Sequence, residues 1–432
     1  MNYYSTNDPS VKADFKEATI KGQAPGKGLY FPSTIPMLPQ DFFNDLHQYS
    51  KEEIALKVIQ PYVGDSIPPA ELKNIVTETV AFDFPLVNIT DNVSSLELFH
   101  GPTMAFKDVG ARFMSRCLRY FVKNENKKIT ILVATSGDTG GAVADGFYNV
   151  DGVDVVILYP SGKVSDIQEL QLTTLGNNIT ALEVDGSFDD CQQMVKAVFD
   201  DKDLNQKLFL TSANSINVAR WLPQQFYYFF AYKQWPDKNR PPVISIPSGN
   251  FGNICAGMLA NYSGLPVQHF IASCNANDSI AEYLKEGVYQ PKPSVATISN
   301  AMDVGDPSNF VRIQELFKNN LPELKNKLSS YSITDEETKA AIKEVYLNAN
   351  YLLDPHGAVG YCGLKKYLAI HPEQRGIFLE TAHPIKFYDE VEPIINKKIE
   401  LPQSIIQLLN REKKSIKIKK DFAALKAILN EV

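Results

Sequence analysis

The sequence predicts an α/β protein built as two doubly wound, mainly parallel-sheet lobes behind a mostly helical N-terminal domain. Three observations carry this. From residue 129 onward short apolar runs alternate with stretches of helical periodicity. Glycine-bearing turns at 135–140 and 248–252 follow apolar runs and open helices. The stretch before residue 80 is rich in helix formers and lacks that strand-turn-helix rhythm. Strands separated by helices run parallel, because the helix supplies the crossover that returns the chain in the same direction.

In order, 52–59 and 70–79 read as N-terminal helices. The run 129–134 is a buried strand, followed by Thr135-Ser-Gly-Asp-Thr-Gly and a helix through Ala142, Val143 and Phe147. Residues 153–159 form the next strand, leaving through Pro160-Ser-Gly-Lys-Val, after which Ser165 and Gln168 carry a capping-box signature. A strand at 179–184, a turn at Asp185-Gly186 and an N-cap at Ser187 come next. Later strands fall at 208–210, 243–246, 269–273 and 376–380. The aromatic run 226–232 continues the helical spacing of Ile216, Ala219 and Leu222 and reads as core packing. Asp354-Pro355 reads as an N-cap with proline at the first helical position. Pro241-Pro242 marks a crossing between lobes, so the expected domains are 1–84, 85–240, 241–400 and a C-terminal tail at 401–432, in which the run 411–420 reads as solvated and partly helical.

With 432 residues, 44% hydrophobic and 22% charged, the chain is long enough for two or three domains with substantial cores. A net charge of −7 argues against a nucleic-acid partner, and the basic run 411–420 is too local to reverse it. Five separated cysteines without a C-x-x-C pair suggest neither a disulfide framework nor zinc. Six histidines without ligand spacing suggest no metal. With no apolar stretch of bilayer length and no basic-then-apolar leader, a cytoplasmic protein without a membrane partner is expected.

Two segments carry chemistry. Lys107 lies among small and apolar neighbours in His100-Gly-Pro-Thr-Met-Ala-Phe-Lys107-Asp-Val-Gly110, just before a helix. Desolvation there favours the neutral amine, which forms Schiff bases with aldehydes such as that of pyridoxal phosphate. Far downstream, Ser248-Gly-Asn-Phe-Gly-Asn253 joins a strand to a helix. Gly249 and Gly252 allow amides and the helix N-terminus to converge on an anion, as a phosphate requires.

Six blocks in order then resemble one family. Residues 99–108, Ala134-Thr-Ser-Gly-Asp-Thr-Gly140, Ser212-Ala-Asn-Ser-Ile-Asn217, Ser248-Gly-Asn-Phe-Gly252, Ser299-Asn-Ala-Met-Asp-Val304 and Thr381-Ala-His-Pro384 look like threonine synthase in its longer bacterial and fungal form. The opening seven residues and Gly28-Leu-Tyr-Phe-Pro32 resemble that family's N-terminal segment. The resemblance implies a pyridoxal-phosphate lyase of the tryptophan-synthase-like fold (fold type II), with the cofactor between the two lobes. It implies a β,γ-replacement that converts O-phospho-L-homoserine and water to L-threonine and phosphate, the last step of threonine biosynthesis.

On that resemblance Lys107 forms the Schiff base and afterwards serves as base at Cα and Cβ. Gly249, Asn250, Phe251, Gly252 and Asn253 hold the cofactor phosphate, and Thr381 meets the ring nitrogen. Alone, Thr381 reads equally as a cap or turn residue, and His383 as a structural histidine. The loop Thr135, Ser136, Asp138 and Thr139 suits an α-carboxylate, with Asp138 facing either substrate or the cofactor's 3'-oxygen. A dianionic leaving group needs cations or several donors. Lys163 is the first choice, with Asn214, Ser215, Asn217 and Arg220 beside it. Asn253 stands where the family commonly has aspartate, which removes a charge and adds a donor. A monomer or homodimer is expected. The competing readings are a serine or threonine dehydratase or cysteine synthase, a non-catalytic ligand-binding relative, and a nicotinamide oxidoreductase. The last lacks a G-x-G-x-x-G after a strand, and phosphate release separates the first.

Overall fold

The computed structural model describes residues 1–123 and 128–431. Two sheets dominate it. The larger has six strands in the order Leu328–Ser332, His269–Cys274, Val243–Pro247, Gly376–Glu380, Val93–Glu97 and Leu86–Asn88. All neighbours are parallel except the last pair. The smaller has five, all parallel, in the order Ser415–Lys419, Ile179–Asp185, Val153–Pro160, Ile129–Ala134 and Phe209–Ser212. Central strands such as Ile129–Ala134 and His269–Cys274 are buried at every position. Helices cover both faces, which is why these runs are continuously apolar instead of alternating.

Local signals fix the helices where the sequence places them. Ser165 with Gln168 and Ser50 with Glu53 close reciprocal capping boxes, each satisfying two otherwise orphaned amides. Ser187 caps Phe188–Asp200, and Asp354 caps Pro355–Ile370 with its side chain accepting from the amides of His356 and Gly357. In the N-terminal domain, helix Lys51–Val63 buries Ile54, Val58, Ile59 and Tyr62 and packs on the aromatic helix Gln225–Gln234. That aromatic helix is buried from Gln225 to Tyr232, as its composition predicts.

Two expected boundaries differ in the structure. The boundary expected at 84/85 is not a change of sheet: Leu86–Asn88 and Val93–Glu97 join the larger sheet, because Val93–Glu97 pairs with Gly376–Glu380. The tail expected at 401–432 is built into the smaller lobe. Ile416 and Ile418 alternate with lysines as an edge strand beside Ile179–Asp185, and helix Phe422–Leu429 buries Leu425 and Leu429. The basic run reads as solvated because its lysines face outward, and Lys413 and Lys417 pair with Glu183 on the neighbouring strand. The mostly helical N-terminal domain also holds a small antiparallel sheet of Tyr3–Ser5, Lys12–Ala13 and Tyr30–Pro32, strands too short for periodicity to show. We propose that the larger lobe takes up 86–97 with 241–400, and the smaller lobe takes up the C-terminal segment.

Parallel strands deliver their loops at the carboxyl edge, so the turns after Ala134, Ser212, Pro247 and Glu380 gather between the two lobes.

Candidate active site

Lys107 opens helix Lys107–Val122, and the chain just before it is bonded to the end of strand Gly376–Glu380. The amide of Leu98 donates to the carbonyl of Glu380 (2.9 Å), that of Phe106 to Thr381 (2.8 Å), and that of His383 to Met104 (3.0 Å). Ala105 and Ala382 form an isolated antiparallel bridge. Two segments more than 270 residues apart are thereby one piece. The Tyr227 hydroxyl, from the aromatic helix, donates to the Phe106 carbonyl and braces it from the other side.

The Lys107 amine makes no hydrogen bond or ion pair among the described residues; it lies 5.8 Å from the centre of the Phe106 ring. The residue keeps partial exposure. Burial of its surroundings lowers its pKa to about 8, with Arg220 and Lys386 pushing the same way against Asp138. Asp138, 4% exposed, accepts from Gln168 Nε2 (2.9 Å) and pairs with Lys386 Nζ at 2.7 Å. Burial alone raises such a carboxyl, but Lys386 and Lys107 together hold it below the ordinary range. Beside Lys107, Asp108 is buried and accepts from the amide and hydroxyl of Thr103; burial raises it to about 6.

The 248–253 loop leads into helix Gly252–Tyr262. Phe251 adopts a left-handed conformation (φ 59°) just before the helix, whose first amides have no carbonyl a turn earlier to bond. A Cβ at Gly249 would lie 2.6 Å from the Met302 Cα, so only glycine lets the loop pass under the 299–304 block. Asn253 Oδ1 accepts from the Tyr228 hydroxyl (2.9 Å), which leaves its Nδ2 buried and without a partner.

Ser215 is the joint between lobes. Its hydroxyl accepts from Asn250 Nδ2 and Asn309 Nδ2, both at 3.0 Å. Arg312, fully buried and stacked on Trp221 at 4.2 Å, donates to the carbonyls of Ser215 (3.0 Å), Ile216 (2.6 Å) and Tyr30 (3.0 Å), tying the N-terminal domain to the same point. A turn later Arg220 is buried, with Nε and Nη1 lacking a partner among the described residues. Burial lowers its pKa to about 10, which still leaves it cationic at neutral pH.

Several sequence-derived roles change on this geometry. Asn250 has both side-chain ends engaged, donating one N–H to Ser215 and accepting from the Ser308 amide (2.7 Å), so its side chain is fixed and keeps one N–H to offer an anion beside its backbone amide. Asn217 caps helix Val218–Trp221 and donates to the carbonyls of Thr19 (2.8 Å) and Ser212 (3.3 Å), which spends its side chain inside the fold. Thr135 folds its hydroxyl back onto Gly137 and Gly140. Ser136, Thr139 and Asn214 are half-buried, with side chains unpartnered among the described residues. The Thr381 hydroxyl is also unpartnered among them, in a residue 6% exposed. Lys163 is exposed on the loop after Val153–Pro160, whereas Arg220 is the buried, unsatisfied cation. Sequence reasoning missed Lys386 altogether. The signal that marks Lys107, a lysine between apolar neighbours, was present in Ile385-Lys386-Phe387.

Comparison with known proteins places this geometry in context. The sequence model of the pyridoxal-phosphate dependent enzyme family matches residues 94–379, that of the threonine synthase N terminus residues 2–80, and that of the threonine synthase C-terminal region residues 357–429. The threonine synthase of Haemophilus influenzae is 44% identical over 430 residues, spanning 99% of each chain. Among solved structures, the threonine synthase of Escherichia coli superposes with a TM-score of 0.94 at 42% identity, covering 100% of both chains. The pyridoxal-phosphate-bound threonine synthase of Brucella melitensis gives 0.94 at 34% identity, covering 100% of this chain and 99% of its own.

Proposed function

The chain belongs to the threonine synthase family of pyridoxal-phosphate-dependent lyases, and from that premise we propose how its residues divide the conversion of O-phospho-L-homoserine and water to L-threonine and phosphate. The residues present fit the cofactor. The first helix amides after Phe251, the close pass at Gly249 and the buried Nδ2 of Asn253, unpartnered among the described residues, suit its phosphate. An amine at Lys107 whose pKa burial lowers to about 8, so that it sheds its proton far more readily than an ordinary lysine, suits its aldehyde. When bound, the cofactor supplies that aldehyde and a conjugated ring that takes up the electron pairs released at the substrate's Cα and Cβ.

The chain's own residues do the remaining work. Lys107 holds the cofactor covalently and, once displaced, moves protons at Cα and Cβ. Thr381 offers a neutral hydroxyl for the ring nitrogen. Ser136, Thr139 and the first amides of helix Asp138–Phe147 receive the α-carboxylate, while Thr135 shapes that loop from within. Arg220, with Ser215 and Asn214 on the same segment, receives the leaving phosphate. Lys163 stands by as an exposed second cation.

The observation that carries the phosphate-ester reading over a hydroxyamino-acid dehydratase is Arg220. A buried guanidinium with two unpartnered nitrogens calls for a charged, multidentate acceptor, which a substrate hydroxyl does not provide. The test offers O-phospho-L-homoserine, L-threonine and L-serine in parallel. Turnover of the phosphate ester alone is expected, and preferential 2-oxo-acid formation from the free amino acids would overturn the assignment.

No helix among the described residues is long and apolar enough to cross a membrane. A cytoplasmic location, the absence of a nucleic-acid partner, and a monomer or homodimer belong to the same proposal.

A further inference from the structure

Asp138 interacts electrostatically with two lysines, Lys386 and Lys107. Lys386 is fully buried, with Nζ 2.7 Å from Asp138 Oδ1 and donating to the Thr103 carbonyl at 2.8 Å. Lys107 is partly exposed and has no ion pair among the described residues. One carboxylate therefore faces two amines and is in contact with only one.

We propose that Lys386 is a positioning residue for the reaction: by occupying Asp138 it withholds that negative charge from Lys107 and leaves Lys107 as the amine free to react. The proposal rests on Lys107 being the reactive lysine. In a site screened from water, an unengaged carboxylate would bind whichever ammonium is nearest and hold its proton. With Lys386 in place, Asp138 is already compensated, and the second ammonium repels a proton on Lys107. The other charged groups of the neighbourhood act consistently. Arg220, on the 218–221 helix, opposes a proton on Lys107, while Asp108 sits at a raised pKa within the influence of Lys386. His383, on the segment that carries Lys386, has its pKa lowered by burial to about 4 and stays neutral. Gln168 holds the Asp138 carboxylate in place from helix Asp166–Thr173 without changing its charge.

The geometry separates this role from a merely structural one. If Lys386 only filled space, its loss would lower stability and leave the basicity of Lys107 untouched. If it competes for Asp138, its loss raises the basicity of Lys107, and removing Asp138 as well cancels the effect.

The test uses the full-length, cofactor-free protein and reads no turnover. Acetylation of each lysine by acetic anhydride is followed by peptide mass spectrometry from about pH 6 to about pH 11, a range that brackets ordinary and lowered lysine pKa values. Lys386→Met is expected to move the Lys107 labelling midpoint upward and to slow labelling near neutral pH about tenfold, equivalent to one pKa unit. Lys386→Arg and the double variant Lys386→Met with Asp138→Asn are both expected to return it toward the parent value. Should Lys386→Met not fold, Asp138→Asn alone is expected to move the midpoint downward, since Lys107 then faces only cations. An unmoved midpoint in both single variants would overturn the proposal. Borohydride trapping of added pyridoxal phosphate on a lysine other than Lys107 would overturn the assignment of Lys107, and this inference with it.

Discussion

The amide of Phe106 donates to the carbonyl of Thr381 across 2.8 Å, joining the residue before Lys107 to the residue after strand Gly376–Glu380 inside the larger sheet. Lys107 and Thr381 are consequently fixed relative to each other by backbone, not by side-chain packing. The Tyr227 hydroxyl on the Phe106 carbonyl locks the same peptide from the aromatic helix.

Removing the amine removes the chemistry. Lys107→Ala is expected to fold normally and to lose turnover by several orders of magnitude, in keeping with nucleophile deletions elsewhere. The check is steady-state phosphate release alongside the circular dichroism of parent and variant.

Arg220→Gln is expected to lower kcat/KM for the phosphate ester by about 100-fold or more, the scale of losing one partner from a buried charge-assisted contact (~2–5 kcal/mol). The variant is also expected to lose product inhibition by inorganic phosphate. Equal inhibition constants in parent and variant would move the leaving group to Lys163.

Gly249→Ala places a methyl carbon 2.6 Å from the backbone of Met302. The loop or the 299–304 block must shift, at a cost of about 1–3 kcal/mol, the usual scale of overpacking. Weaker retention of the cofactor phosphate is expected, measured as a faster loss of bound cofactor on dialysis than in the parent.

The pH dependence follows from the lysine. Its pKa in the folded chain, about 8, lies below the ordinary 10.5. The unfolded chain thus binds the extra proton across that window, so this group's contribution to stability improves as pH rises from about 8 to about 10.5. Covalent uptake of cofactor by the empty protein is expected to accelerate up to about pH 8 and then level off. A stopped-flow series of absorbance changes checks it, and Lys107→Ala removes both trends.

Much of this was readable in the chain. The parallel strands announced themselves as apolar runs broken by glycine turns, and Ser165 with Gln168 announced a helix start, because both signals are local. Lys107 at a helix start and the 248–253 strand-to-helix turn were readable as local structure for the same reason. What escaped depended on partners distant in sequence. Nothing near Asn217 says that its amide will be spent on Thr19, nor near Asn250 that Ser215 and Ser308 will claim both ends. Lys163 outranked Arg220 because charge is visible in a sequence and burial is not. The tail was misread because Ile416 and Ile418 become an edge strand only once Ile179–Asp185 is there to pair with.

The central claim is that this chain turns over O-phospho-L-homoserine through Lys107. The most direct test incubates the cofactor-loaded protein with that ester and follows inorganic phosphate and threonine together, with Lys107→Ala as control. Equimolar phosphate and threonine from the parent and neither from the variant is the expected result. Phosphate accompanied by 2-oxobutyrate, or undiminished turnover by the variant, would contradict it.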